Sequence, residues 1–257
     1  MIRVVLKQLR FLFLLNLILF LQACNQSLMQ DKAIAQEQRA KAVAYNTQLG
    51  LLYLKQGDIK RAKYKILSAI KLAPKNSEAN LALAYLLEKN GELMKATLYY
   101  DKALAYAPSN GLVLNNYGAF LCRRGAYKKA EFYFLKAIDD IDYLDTAAAY
   151  ENAGLCLAEA QENQKAAFYF EKALMEDPKR KQAFYELVGL KLKANNYKKA
   201  FVLVEKYLKS FNDQDSLELA ILVARKAGQS KAQDKYTRRL KLVEQRGVAN
   251  ESNSRNG

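Results

Sequence analysis

Histidine is absent from this 257-residue chain, and so is tryptophan. Without histidine the chain lacks the commonest general base and metal ligand at neutral pH. It also has no glycine-rich phosphate loop, Cys-x-x-Cys pair or nucleophile elbow. Catalysis, a cofactor and a small-molecule substrate are therefore not expected. Proline (three) and glycine (eleven) are scarce while the hydrophobic content is 51%, which excludes disorder throughout. Runs of alternating β-branched residues joined by hairpin turns are missing, so strands are not expected. The apolar run from Phe11 to Leu21 is broken by Asn16 and falls short of the ~20 residues that span a bilayer. What is abundant is Ala, Leu, Lys, Glu and Gln, all good helix formers. The fold class expected is all-α.

Acidic residues are in deficit: 26 against 41 basic ones, a formal charge of +15. Arg3, Lys7 and Arg10 precede the apolar run as the positive end of a secretory signal. Their removal leaves 38 basic residues and a charge of +12. Such a surface suits nucleic acid, anionic lipid or an acidic protein. Nucleic acid is not expected, because the charge is spread along helices as Lys-Lys pairs without base-stacking aromatics.

After the apolar run comes Leu21-Gln22-Ala23-Cys24. This order resembles a bacterial lipobox. The resemblance implies a signal peptide over residues 1–23 and a mature chain that begins at acylated Cys24, anchored stably by its acyl chains. Asn25 stands where Asp is the usual inner-membrane retention signal, which implies the outer membrane, facing the periplasm. Residues 24–42 read as a polar tether that turns helical near its end.

Two further cysteines, Cys122 and Cys156, remain. In an oxidising compartment they are either a disulfide or two buried thiols. A bridge would close a loop of about 34 residues, worth roughly 3–4 kcal/mol on the chain-entropy account.

The main body repeats. Small residues recur at Gly50, Ala84 and Gly118, a period of 34. Parallel series run through Ala62, Ala96, Ala130, Ala166 and Ala200, and through Ala69, Ala103, Ala137 and Ala173. Pro74 and Pro108 share the period, and Pro178 follows two periods plus two residues later, so two extra residues fall within Asp139–Thr146. Turn signals recur at Gly57, Gly91, Gly125 and Asn195-Asn196. Gly or Ala in a first helix and Ala in a second let two backbones approach. Tyr53, Leu87, Leu121 and Leu157, with Ile66, Tyr100, Phe134 and Phe170, are expected to pack around them. Proline then ends the second helix.

This is the pattern of the tetratricopeptide repeat (TPR), met most fully by Leu49-Gly50-x-x-Tyr53 with Ala62, Ala69 and Pro74. Repeats are placed at 43–76, 77–110, 111–144, 147–180 and 181–214, with a degenerate sixth over 213–241 built on Ala220, Gly228, Ala232 and Tyr236. The expectation is an α-α solenoid, a TPR superhelix of about six repeats, followed by a disordered tail over 242–257. Asp139, Asp140 and Asp142 fall in the expanded turn and read as a solvated loop.

Stacked hairpins leave a groove lined by their first helices. The register places Leu51, Leu54, Lys55, Leu81, Tyr85, Glu88, Asn115, Ala119, Cys122, Arg123, Glu151, Leu155, Tyr185 and Lys193 near it. Apolar residues rimmed by charge suit a partner's helix or extended segment.

Two blocks are more particular than the repeat: Asn115-Asn116-Tyr117-Gly118 with Phe120-Leu121-Cys122, Gly125, Tyr127, Ala130-Glu131 and Ala137-Ile138, then Tyr150-Glu151-Asn152-Ala153-Gly154-Leu155-Cys156. With the lipobox they resemble the PilF/PilW lipoproteins of type IV pilus biogenesis. Asp142 departs from the proline that often ends the third repeat. The resemblance implies a pilotin: an outer-membrane lipoprotein that binds the pilus secretin, brings it to the membrane and supports its assembly into a multimer. The alternative is a TPR lipoprotein scaffold for other envelope machinery, in outer-membrane protein assembly or cell-wall enzyme docking.

Overall fold

Helix boundaries follow from capping residues. Asn76, Asn110, Asp145 and Asp213 each turn a side-chain oxygen back to the backbone N–H three residues on, satisfying one of the donors a helix N-terminus leaves open. At the other end, Ala73, Ala107 and Asp177 each precede a proline and leave helical geometry, with ψ of 85°, 73° and 102°, because the proline ring disfavours the α conformation in the residue before it.

A computed structural model describes residues 30, 32–211 and 213–255. Among these there are twelve α-helices and no strand. The signal peptide, Cys24 and the start of the tether lie outside the described residues.

The chain forms two units, Met1–Ala107 and Pro108–Gly257. The first holds α1 (32–55), α2 (Ile59–Leu72), α3 (Ser77–Lys89) and α4 (Leu93–Tyr106). The second holds α5 (Gly111–Arg123), α6 (Tyr127–Ile138), α7 (Thr146–Glu159), α8 (Asn163–Glu176), α9 (Lys181–Lys193), α10 (Tyr197–Tyr207), α11 (Gln214–Lys226) and α12 (Ser230–Arg255), with a 3-10 turn at Leu208–Ser210 between α10 and α11. Odd-numbered helices are the first, or A, members of six hairpins and even-numbered ones the B members.

The hairpins close on the small residues. Ala62, Ala69, Ala96, Ala103, Ala130, Ala137, Ala166, Ala173 and Ala200 are all fully buried. Ile66, Tyr100, Phe134 and Phe170 are buried beside them, while Tyr53 and Leu121 are only half-buried. A Cβ on Gly118 would lie 2.9 Å from the Phe134 ring and 3.2 Å from the Ala130 carbonyl oxygen, so the helices cross where a side chain has no room. In the second unit an apolar cluster runs from Cys122 to Tyr236. Val188, Tyr207, Ala220 and Tyr236 are buried in it, so the irregular fifth and sixth copies still pack.

The structure adds to three expectations. Residues 32–42, read as the part of the tether that turns helical, are helical throughout, supported by a 2.6 Å Glu37–Lys41 pair one turn apart and by Arg39 donating to the Leu72 carbonyl at 2.6 Å. Residues 242–255, read as disordered tail, continue α12; once a helix is nucleated, each further residue adds a bond at little cost. The expanded turn is more than a solvated loop. Asp140 accepts from the Gly111 N–H at 2.6 Å and from the Asp142 N–H at 3.1 Å. The Tyr143 side chain fills the space a Cβ on Gly111 would take, 2.4 Å away. Asp140 thus caps α5 from outside it, while Asp139 and Asp142 stay exposed.

Candidate protein-binding face

In the first unit the groove candidates lie on α1 and α3. Leu51 and Lys55 are exposed and Leu54 is half-buried. Leu81 is 7% exposed, so it belongs to the core, not to an open face. Tyr85 is half-buried under the Lys89 amine, 5.4 Å from its ring, and Glu88 accepts from the Tyr100 hydroxyl at 2.8 Å. A cleft of about 750 Å³ opens between the early turns of α1 and the start of α3, lined by Arg39, Val43, Thr47, Asn76 and Glu78 among others. Sequence reasoning missed it, because residues 32–42 were read as tether; the helix-forming run Gln36-Glu37-Gln38-Arg39-Ala40-Lys41 was the available signal.

In the second unit the same register position on successive A helices makes a bond to the next A helix. Asn115 on α5 accepts from the Asn152 amide on α7 at 3.0 Å. Glu151 on α7 accepts from the Ala183 N–H at the start of α9 at 3.1 Å and pairs with Arg180 at 3.6 Å. The Tyr185 hydroxyl on α9 lies 3.0 Å from the Ser216 hydroxyl on α11. Burial, opposed by the Ser216 hydrogen bond, raises the Tyr185 pKa. These three candidates therefore form the seam between repeats. Asn115, 7% exposed, is closed to a partner; buried polar groups take partners within the protein. Asn152, Arg180 and Ser216 complete the seam and were not singled out from the sequence, which carries no marker for a partner one repeat away.

The seam has a covalent member. Cys122 on α5 and Cys156 on α7 are bonded, with Cα atoms 5.6 Å apart, and both are buried. Of the other candidates on these A helices, Ala119 and Leu155 are half-buried, and Arg123 and Lys193 are exposed. An apolar floor with charged edges can hold a peptide segment by burial and orient it by charge.

Tetratricopeptide-repeat family models match residues 47–111, 81–143 and 157–225. Repeats of this class are protein-interaction modules, and the chain is an all-α TPR solenoid. Among the similar solved structures, two are 30% identical in sequence over their aligned residues. PilF of Pseudomonas aeruginosa aligns over 82% of this chain and 99% of its own, with a TM-score of 0.65. PilW, described as a widely conserved type IV pilus biogenesis factor, aligns over 78% and 92%, with a TM-score of 0.62. The chain belongs to the PilF/PilW family of type IV pilus biogenesis TPR proteins. Yeast Tom70, at 19% identity over 73% of this chain and 40% of its own, with a TM-score of 0.60, shares the fold. No curated protein sequence matches the chain.

Proposed function

We propose that this protein is a pilotin: an outer-membrane lipoprotein, anchored through acylated Cys24 and facing the periplasm, that binds the type IV pilus secretin and promotes its localisation and multimer assembly. The observation that carries this reading is its 30% identity to PilF over 99% of that chain. Half-buried Ala119 and Leu155 and exposed Lys193, on successive A helices, support the A-helix face as the place where a secretin segment docks. Tethering raises the local concentration of secretin subunits at the membrane, so that assembly follows without any bond being made or broken.

Deleting the gene and measuring secretin multimers tests the reading. Multimers and piliation should fall and return with the wild-type gene. Cys24→Ala should restore binding without outer-membrane placement, and Lys193→Glu should weaken co-purification of secretin. Unchanged multimers in the deletion overturn the proposal. Co-purification of barrel-assembly subunits or cell-wall hydrolases in place of secretin would assign the scaffold to other envelope machinery.

A further inference from the structure

The outer face of the B helices carries a pattern that the A-helix strip does not use. Phe132 on α6, Phe168 on α8 and Val202 on α10 hold one register position in successive hairpins, 56%, 51% and 64% exposed. Large apolar side chains exposed singly need no explanation, but three at one repeat position do. Each has a lysine three residues before it: Lys129, Lys165 and Lys199. Each has another four residues after it: Lys136, Lys172 and Lys206. Those spacings place both amines on the helix face of the apolar residue, one turn to either side. The Lys136 and Lys172 amines sit 5.6 Å from the Phe132 and Phe168 rings.

Nearby carboxylates are engaged within the protein, and with them Lys165, which pairs with Glu162 at 3.0 Å as well as with Glu131, so the other five lysines carry the face's positive charge. Glu131 accepts from the Tyr169 hydroxyl at 2.8 Å and pairs with Lys165, Glu171 pairs with Lys191 at 3.2 Å, and Glu205 accepts from the Tyr236 hydroxyl. The helices are neighbours: Glu131 joins α6 to α8, and a crevice of about 250 Å³ is lined by Glu171 of α8 with Lys199 and Val202 of α10. In the first unit, Tyr64 on α2 and Leu98 on α4 repeat the position, 68% and 51% exposed.

We propose that this face of the second unit rests on an anionic phospholipid surface. Protein interfaces are depleted in lysine and favour contiguous apolar cores. Here Phe132 and Phe168, with exposed Leu135 and Met175 on the same helix faces, and Val202 stand among lysines. That arrangement suits a bilayer interface, where rings enter the headgroup layer, long lysine stems snorkel, and amines meet phosphates. Phe132 and Phe168 each have an amine 5.6 Å from the ring, so ring and charge would enter the headgroup layer together. The proposal is independent of which partner the A helices hold.

The chain has no tryptophan, so Phe168→Trp gives the full-length protein a single reporter. It is reconstituted into phosphatidylcholine vesicles, or vesicles about one-third phosphatidylglycerol, with brominated lipid as quencher. The expected result is a blue shift and about twofold quenching on the anionic vesicles only, lost in about 0.5 M salt as screening shortens the reach of the lysines. Leu112→Trp on α5 should stay unquenched, and combined charge reversal of Lys129, Lys136, Lys172 and Lys199 in the reporter background should abolish the signal. Helicity is measured for each variant, and Val202→Trp supplies the same readout should Phe168→Trp misfold. Four outcomes overturn the proposal. They are no quenching on either vesicle, equal quenching on both whatever the salt, equal quenching of Leu112→Trp, and a blue shift that requires added envelope protein or a higher chain concentration instead of lipid.

Discussion

Gly154 and Gly189 sit in A helices of neighbouring repeats and differ in what faces them. A Cβ on Gly154 would lie 2.6 Å from the Phe170 ring, whereas one on Gly189 would meet nothing within 4 Å. Gly154→Ala should destabilise by about 1–3 kcal/mol through overpacking. Gly189→Ala should stabilise by up to about 1 kcal/mol, because alanine is the better helix former. Thermal melts of the two variants check both signs. The turns inside the hairpins give a second comparison. Gly57, Gly91, Gly125 and Gly228 hold φ of 70–80°, while Gln161 takes φ 61° in the corresponding turn. A left-handed residue with a side chain costs on the order of 1 kcal/mol, so Gln161→Gly should raise the melting temperature. The small positions were legible in the sequence because a close crossing admits only Gly or Ala. The turn at Gln161 was not, because glutamine carries no turn signal and its conformation is imposed by the hairpin around it.

Helices α5 and α7 are joined by the Cys122–Cys156 bond and the Asn115–Asn152 hydrogen bond. Replacing both cysteines by serine, or reducing the wild type, should cost about 3–4 kcal/mol in denaturant unfolding, the value for a loop of roughly 34 residues. Reduced wild type and double variant should unfold alike; a variant as stable as the oxidised protein would contradict the bridge. These helices also show where reading the register falls short. It placed Asn115, Glu151 and Tyr185 near the groove. It could not tell that each meets the next A helix, because helical spacing gives a direction and not the distance to a neighbour. The lengths of α1 and α12 were missed for a related reason: composition weakly separates a solvated helix from a solvated coil.

The absence of histidine extends to the behaviour of the entire protein with pH. No side chain with an ordinary pKa between about 5 and 8 is present, so stability should be nearly flat there. Alkaline pH is different. Burial raises the pKa values of Tyr143, Tyr150, Tyr169 and Tyr185, that of Tyr143 from 10.0 to about 12. A group whose folded pKa is raised contributes stability that is complete below its unfolded pKa and is lost as pH climbs through the folded one. The melting temperature should therefore hold to about pH 10 and fall above it. On the acid side, desolvation raises the Asp213 pKa, but hydrogen bonds from Lys181 and Ser216 outweigh it and hold the carboxyl below its ordinary 3.8. Its contribution is present above that value and lost as pH falls through the lower folded one. Circular-dichroism melts across pH 3–12 check both arms, and a melting temperature unchanged to pH 12 would refute the alkaline one. The covalent order of residues settled the helical hairpins and their period, since the close approach of two helices is local and small residues must return at fixed intervals to allow it. Which side chains of the A helices are drawn into the seam, which stay open, and that Cys122 meets Cys156 were decided in folding, because those contacts depend on how each hairpin is rotated against the next.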